Sequence, residues 1–448
     1  MTGLLVANAL YFVVGACLTR RTGLAYMVGV AVVGIGTAHL ALVHIPIGLV
    51  ELFVVALALV VWRLRRRRAS GSEPEARLDL FGAILFVAAA ALLVHATRAF
   101  TVRPLVEWDG WAIWAMKARA LYDFGGAQHD VFTTAPYGPL QHPLLLPSLE
   151  ATGFRAMGTY DGTLIHLQLA LLALGFAVAL WTLLRERVPA AFAGATVLAI
   201  VAADSVLRQL AGNLADIPLA FFVALGVVCL ARWLLEGQTR LLAPATLFLG
   251  AATLTKPEGL LFTAAALVAA LAAWRRDLVW AALGVALIYA PWRLYVAVHH
   301  LQNPEYSLGD ALDPSYLADR SERVHPALTG VWHQVWASRW GWLVPFALVS
   351  LAAALVARRW RLSAFAATWA ILSFLGIVLV FWISVVPIEL TLKWAAYRTV
   401  ASLVLGAAAL APLLAGEAWR TTRILGDSSA RSTSQSVSPV SADSSSGS

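Results

Sequence analysis

Cysteine is nearly absent: 448 residues hold two, Cys17 and Cys229. Both fall inside apolar runs, which excludes a disulfide framework or a cysteine zinc site and leaves them as packing residues. Charge is scarce as well, with Asp, Glu, Lys and Arg at 13% of the chain against roughly 25% in ordinary soluble domains. Hydrophobic residues reach 60% and the mean hydropathy is +0.75, so a soluble globular domain is excluded and lipid is the expected solvent. A basic region ahead of the first apolar run is missing too, so that run reads as a retained span and not as a cleaved signal.

What the chain has is a succession of apolar stretches of about 17 to 25 residues, the length at which only a helix satisfies its own backbone in lipid. The expected fold is all-α and polytopic, with about thirteen transmembrane helices near 3–18, 24–43, 46–62, 79–98, 162–184, 188–206, 214–234, 242–256, 258–274, 278–298, 341–357, 362–386 and 397–416. The net charge of +8 and the pI near 9.8 come from short basic clusters between these runs, not from one stripe, which excludes nucleic acid as the partner and follows the positive-inside pattern. Placing Arg20 and Arg21, Arg63 to Arg68, Arg185 and Arg187, Arg275 and Arg276, Arg358 to Arg361, and Arg420 with Arg423 on the cytoplasmic side lets every span cross once, with the N-terminus outside.

The same assignment puts two long polar segments outside, 99–161 and 299–340, with the short connections near 207–216, 256–259 and 387–398. Three regions follow. Residues 1–78 are an N-terminal appendage of three spans with a basic linker, 79–423 are the membrane core, and 424–448 are a Ser-rich tail expected to be disordered. No internal repeat is visible, which weighs against inverted-repeat transporters.

Unusual residues concentrate in the external segments. In EWDGWAIWAMKARALYDFGG, residues 107–126, a helical wheel places Trp108, Trp111, Ala115, Ala118 and Tyr122 on one stripe, as expected of an interfacial helix with its aromatics among the headgroups. Asp109 at its start either caps the helix or, with Glu107, suits general-base work on a hydroxyl. The stretch YGPLQHPLLLPSLEA, residues 137–151, reads as a rigid proline-rich loop in which His142 either binds phosphate or orients an acceptor, or is a plain loop residue. Asp216, followed by Pro218, opens a span at its external end, which is also ordinary helix-start chemistry. In LTKPEGLLF, residues 254–262, Lys256 and Glu258 occupy a turn between two spans; they snorkel to water, or Lys256 neutralises charge on a phosphate leaving group. Lys393 and Arg398 stand at the external end of the last span, against the positive-inside bias; Arg398, whose planar fork makes it the better phosphate ligand, either binds phosphate or is an interfacial anchor beside Trp394 and Tyr397. The topology, set by arginines alone, brings these candidates to one side of the membrane.

The order of these motifs resembles the C-type membrane glycosyltransferases, the superfamily of protein O-mannosyltransferases and lipid A aminoarabinose transferases. The likeness runs through WDGWAIWAMKA, HPLLLPSLEA, LADIP, TKPEG and YRTV and covers roughly residues 79–416. It departs from the commoner pattern in the first loop, where an Asp-Glu pair is frequent and here Asp109 is followed by Gly110 and preceded by Glu107; Asp109 aligns better with the helix start. The resemblance implies a glycosyltransferase-like core and inverting transfer of a sugar from a polyprenyl-phosphate donor to a hydroxyl on a lipid, glycan or protein acceptor, outside the inner or plasma membrane. Asp109 or Glu107 would act as base, Lys256 and Arg398 would hold the donor phosphate, and Asp216, His142, Glu258 and Trp108 would contact substrate. No cofactor is implied. The spacing of His299, His300, His325 and His333 matches no metal motif. The main rival is a multi-pass transporter or lipid flippase, which predicts ionisable residues near mid-bilayer. A ligase of another fold and a scaffold are the remaining readings.

Overall fold

The structure, a computed structural model, describes residues 1–66, 80–134, 140–271, 275–303, 305–307 and 309–435. Every regular element among them is helical. In chain order the α-helices are α1 Thr2–Leu18, α2 Ala25–Leu42, α3 Leu49–Arg66, α4 Leu80–Phe100, α5 Met116–Phe124, α6 Leu145–Met157, α7 Ile165–Arg185, α8 Ala190–Ala202, α9 Asp204–Ala211 and α10 Asp216–Glu236. They continue as α11 Leu242–Thr255, α12 Glu258–Ala270, α13 Asp277–Val298, α14 Pro314–Asp319, α15 Val324–Val335, α16 Leu343–Val356, α17 Trp360–Ile383, α18 Ile388–Trp394, α19 Ala396–Thr399 and α20 Ala401–Gln435.

Among the described residues seven helices are long and apolar enough to cross a membrane, or nine if each of two bent pairs is one span. The chain is a multi-pass membrane protein. The expected count of thirteen also included α3, over 46–62, and the apolar helices α1, α11 and α12, of 17, 14 and 13 residues. At 1.5 Å per residue the last two are about 20 Å long, short of a hydrocarbon core of about 30 Å. The expected span 188–206 is bent by 51° at Ala203, where α8 gives way to the amphipathic α9. The last helix runs to Gln435, into the segment that composition assigns to the tail; 436–448 and most of the linker, 67–79, lie outside the described residues.

Helix α10 is the axis of the core. All residues from Asp216 to Trp233 are buried, and α7, α11, α12, α17 and α20 pack around it. Lipid tails are as apolar as leucine, so contact surface and polar links hold such a bundle together. Phe176 of α7 stacks on Phe221 with centroids 4.1 Å apart. Helices α11 and α12 fold back on each other as a hairpin, in which the Thr263 hydroxyl donates to the Leu249 carbonyl at 3.2 Å and Gly259 admits the Ala252 carbonyl where a side chain would collide. Its tip is Lys256–Pro257, beside the start of α10.

The appendage docks on the core. Asn8 donates to the Gln168 carbonyl of α7 at 2.7 Å, and the Tyr26 hydroxyl donates to Asn8 at 2.5 Å. Such amide and hydroxyl links join helices well where no water competes.

Charged groups collect at the two ends of α10, about 30 Å apart by its 21 residues. At the Glu236 end, Arg232 is shared between Glu186 at 2.6 Å and Glu236 at 2.7 Å, Arg21 meets Glu186 at 3.1 Å, and Arg187 meets Glu236 at 2.9 Å. Arg420 donates to the Arg187 carbonyl, Arg275 to the Gly237 carbonyl at 3.2 Å, and Arg63 to the Thr19 carbonyl at 3.0 Å. Arginine clusters scattered from residue 20 to residue 420 thus share one face. The Asp216 end carries the other set.

Candidate functional site

At the Asp216 end three distant segments converge. Arg398, at the start of the last span, is ion-paired with Asp109. Asp216 lies within electrostatic reach of Arg398 and is bonded to the Lys256 ammonium at 2.7 Å. Lys256 also meets Glu258 at 3.2 Å. Acid and base alternate along this chain from Asp109 to Glu258, and it is largely out of water: side-chain exposure is 4% for Asp216, 8% for Lys256, 12% for Arg398 and 24% for Asp109.

Each member is placed by its local structure. Asp109 precedes a π-helical turn, Gly110–Ala115, and its carboxylate makes no cap bond to that turn; it is spent on Arg398. Gly110 sits so close to the Gly212 carbonyl that a Cβ there would fall within its van der Waals shell, and Asn213 donates to the Gly110 carbonyl at 3.2 Å. The first loop is thereby fastened to the connection ahead of α10. Asp216 stands in the first turn of α10, and its carboxylate accepts from the Lys256 ammonium. Lys256 does not snorkel: the recessed hairpin tip aims it at Asp216, and Glu258 opens α12 next to it.

Two atoms of the site are buried without a hydrogen-bond partner among the described residues, Nε of Arg398 and Oε2 of Glu258. Buried polar groups are rarely left unmet, and exceptions mark places where a ligand or water completes the set. One is a cationic donor and the other an acceptor, so the site offers both signs to a polar ligand.

Other expected residues lie elsewhere. Glu107 is exposed, its side chain lying over Gly212 at the edge of the cluster. His142 packs its ring edge-on against Trp114 at 5.1 Å, and its carbonyl accepts from Lys117 at 3.0 Å. Trp108 and Trp111 are half exposed, whereas Ala115 and Ala118 are buried, so the single stripe drawn for this helix does not hold. The π turn is the reason: its i→i+5 bonds shift the register that a 3.6-residue wheel assumes. In the proline-rich stretch, 135–139 lie outside the described residues, and the part from Leu145 on is not loop: α6 begins inside the stretch, with Pro147 in its first turn, where a helix leaves N–H groups unbonded in any case. Among the described residues no three His, Cys, Asp or Glu side chains form a group able to hold a metal ion.

Sequence reading missed three residues. Glu305, from the second long loop, reaches the cluster: burial raises its carboxyl above the ordinary range, Lys256 and Arg398 pull it down, and Glu258 and Asp109 push it up. Neighbouring Tyr306 is raised by burial and by Glu258 and Glu305. The loop is tied down where Val385 N–H donates to the Glu305 carbonyl at 2.8 Å and Arg320 donates to the Ser384 carbonyl at 2.8 Å. The signal was an acid-aromatic pair in a loop assigned to the same side. Glu150 of α6 is the third: it is 2% exposed, neither oxygen has a hydrogen-bond partner among the described residues, and burial pushes its pKa up to about 8, countered by adjacent Asn213. Nothing in PSLEA set it apart, because only the fold brings it to Asn213.

No protein-family model, no curated protein and no solved structure matches this chain.

Proposed function

We propose that this protein is an inverting membrane glycosyltransferase of the C-type kind, moving a sugar from a polyprenyl-phosphate donor to a hydroxyl acceptor at the external face of a cell membrane. The observation that carries the reading is the convergence of Asp109, Arg398, Asp216 and Lys256 at one end of α10, with an unmet guanidinium N–H among them. A general base and two cations for a phosphate are what such a transfer needs, in a site shielded enough for charge to count.

Without substrate, Arg398 and Asp109 occupy each other. A donor phosphodiester takes the Arg398 fork through two oxygens, and Lys256, backed by Asp216, faces the same phosphate. Asp109 is then released to accept the acceptor's hydroxyl proton. The acceptor oxygen bonds the anomeric carbon from the side opposite the phosphate. The carbon–oxygen bond to the phosphate breaks, its electron pair stays on the phosphate, and Arg398 and Lys256 offset the added charge. Glu305 and Tyr306, near the same cluster, border the acceptor side. Glu107, exposed at the rim, is the less suited base.

A transporter or lipid flippase is disfavoured by where the buried ion pairs of α10 lie, at its two ends and not midway. The test is transfer of radiolabelled sugar from polyprenyl-phosphate donors by membranes carrying wild type or Asp109→Asn at matched expression. Transfer by wild type, cut at least a hundredfold in the variant, is expected; equal transfer removes the mechanism.

A further inference from the structure

Away from the alternating ion pairs, Glu150 of α6 is 2% exposed, and neither of its oxygens has a hydrogen-bond partner among the described residues. Adjacent to it is Asn213, fully buried, whose Oδ1 is unmet as well. Burial raises the Glu150 carboxyl and Asn213 opposes the rise, with no cation contributing. Lys117 of α5 donates instead to the His142 carbonyl, and Arg155 of α6 to the Leu121 carbonyl. Tyr160, pushed up by burial and by Glu150, is neutral in the range where Glu150 titrates.

Asn213 has a second attachment. Its Nδ2 donates at 3.2 Å to the carbonyl of Gly110, the residue that follows Asp109 and lies against the Gly212 carbonyl. Its backbone is left-handed, with φ +54°, a conformation that asparagine adopts more readily than most side chains. The amide therefore stands between α6 on one side and the Asp109 turn on the other.

A primary amide has two N–H donors and one carbonyl oxygen. With one N–H given to Gly110, Asn213 keeps one donor and one acceptor. A carboxylate beside them would set three acceptor oxygens against that single donor. A carboxylic acid instead sets an O–H against Oδ1 and a carbonyl oxygen against the second N–H. One proton thus satisfies three buried atoms that are otherwise unmet, and buried polar groups are rarely left so.

We infer that Glu150 is a positioning residue, a neutral acid joined to the Asn213 amide in a cyclic pair of hydrogen bonds that holds the Asp109 turn against the connection ahead of α10. The effect on catalysis rests on the proposed transfer reaction; the cyclic pair does not.

Two readouts test it on the full chain in detergent. Hydrogen exchange of segment 107–116, followed by mass spectrometry at a single pH, reads the attachment without substrate, and transfer kinetics read its consequence. Glu150→Leu, of similar size and unable to bond, should speed exchange of the segment and lower kcat by about tenfold each, the scale of one lost hydrogen bond, with donor KM little changed because Arg398 and Lys256 keep their places. Glu150→Gln, which rebuilds the pair as two amides, should restore most of what Glu150→Leu loses. Asn213→Gly keeps the left-handed backbone without strain and removes the amide, so it should match Glu150→Leu, and the double variant should be no worse than either. Exchange unchanged in both Glu150→Leu and Asn213→Gly overturns the inference, and so does a Glu150→Gln as impaired as Glu150→Leu. The expected exchange pattern in a protein that transfers no sugar supports the cyclic pair and defeats the transfer reading; unaltered exchange in a protein that does transfer sugar defeats the pair alone.

Discussion

Arg398 and Asp109, 289 residues apart in the chain, form an ion pair that closes the first long loop onto the start of the last span. Each is one of the candidates for the transfer chemistry, and each hides the other. In the proposed transfer, the pairing would make the order of binding a consequence of electrostatics: the guanidinium would have to be taken by a phosphate before the carboxylate could serve as base.

Ordered binding is the first prediction. Arg398→Lys keeps the charge and loses the fork, so donor KM should rise about tenfold, about 1.4 kcal/mol. Initial-rate kinetics should show donor binding before acceptor in wild type. A random order with unchanged donor KM in the variant would contradict the exchange.

Gly110 supplies the second. A methyl group there would meet the Gly212 carbonyl, so Gly110→Ala must push the Asp109 turn off the α10 connection. Accommodating such a group costs about 1 to 3 kcal/mol. Transfer should fall far more than the thermal midpoint does, as comparison of rates and unfolding curves would reveal.

The Lys256–Asp216 pair is the third. Lys256→Ala takes from the buried Asp216 carboxylate its bonded cation and leaves only Arg398 near it; breaking a buried pair costs about 3 to 5 kcal/mol in known cases. Adding Asp216→Leu should restore much of the thermal stability and none of the transfer. If the double variant is no more stable than Lys256→Ala, the pair is not the electrostatic unit described.

Much of this was legible in the sequence. Apolar runs located α4, α7, α10, α13 and α17 to within a few residues, because length and hydropathy are local properties. Arginine clusters sorted the chain ends into two faces, because the bias acts on each loop separately. Pairings were not legible: that Asp109 meets Arg398, or that Lys256 meets Asp216, depends on packing between elements far apart in the chain. The π turn at Gly110–Ala115 was hidden because a wheel drawn at 100° presumes the α-helix. Glu305 escaped for lack of any periodicity in its loop.

Glu150 carries a pH prediction. Its carboxyl is raised by burial to about 8, from an unfolded value near 4.3. Stability from its neutral form is therefore complete below the unfolded value and is lost as pH rises through about 8. Thermal unfolding in detergent at pH 5 and pH 9 should show wild type weakening at the higher pH and Glu150→Gln changing much less. Parallel behaviour of the two proteins would show that Glu150 does not titrate in that window.

Equilibrium binding of a short-chain polyprenyl phosphate to the purified protein, wild type against Arg398→Ala, bears most directly on the site. Saturable binding by wild type, weakened at least tenfold in the variant while Arg20→Gln on the opposite face leaves it unchanged, is the predicted result. Equal affinity in wild type and Arg398→Ala would contradict the account.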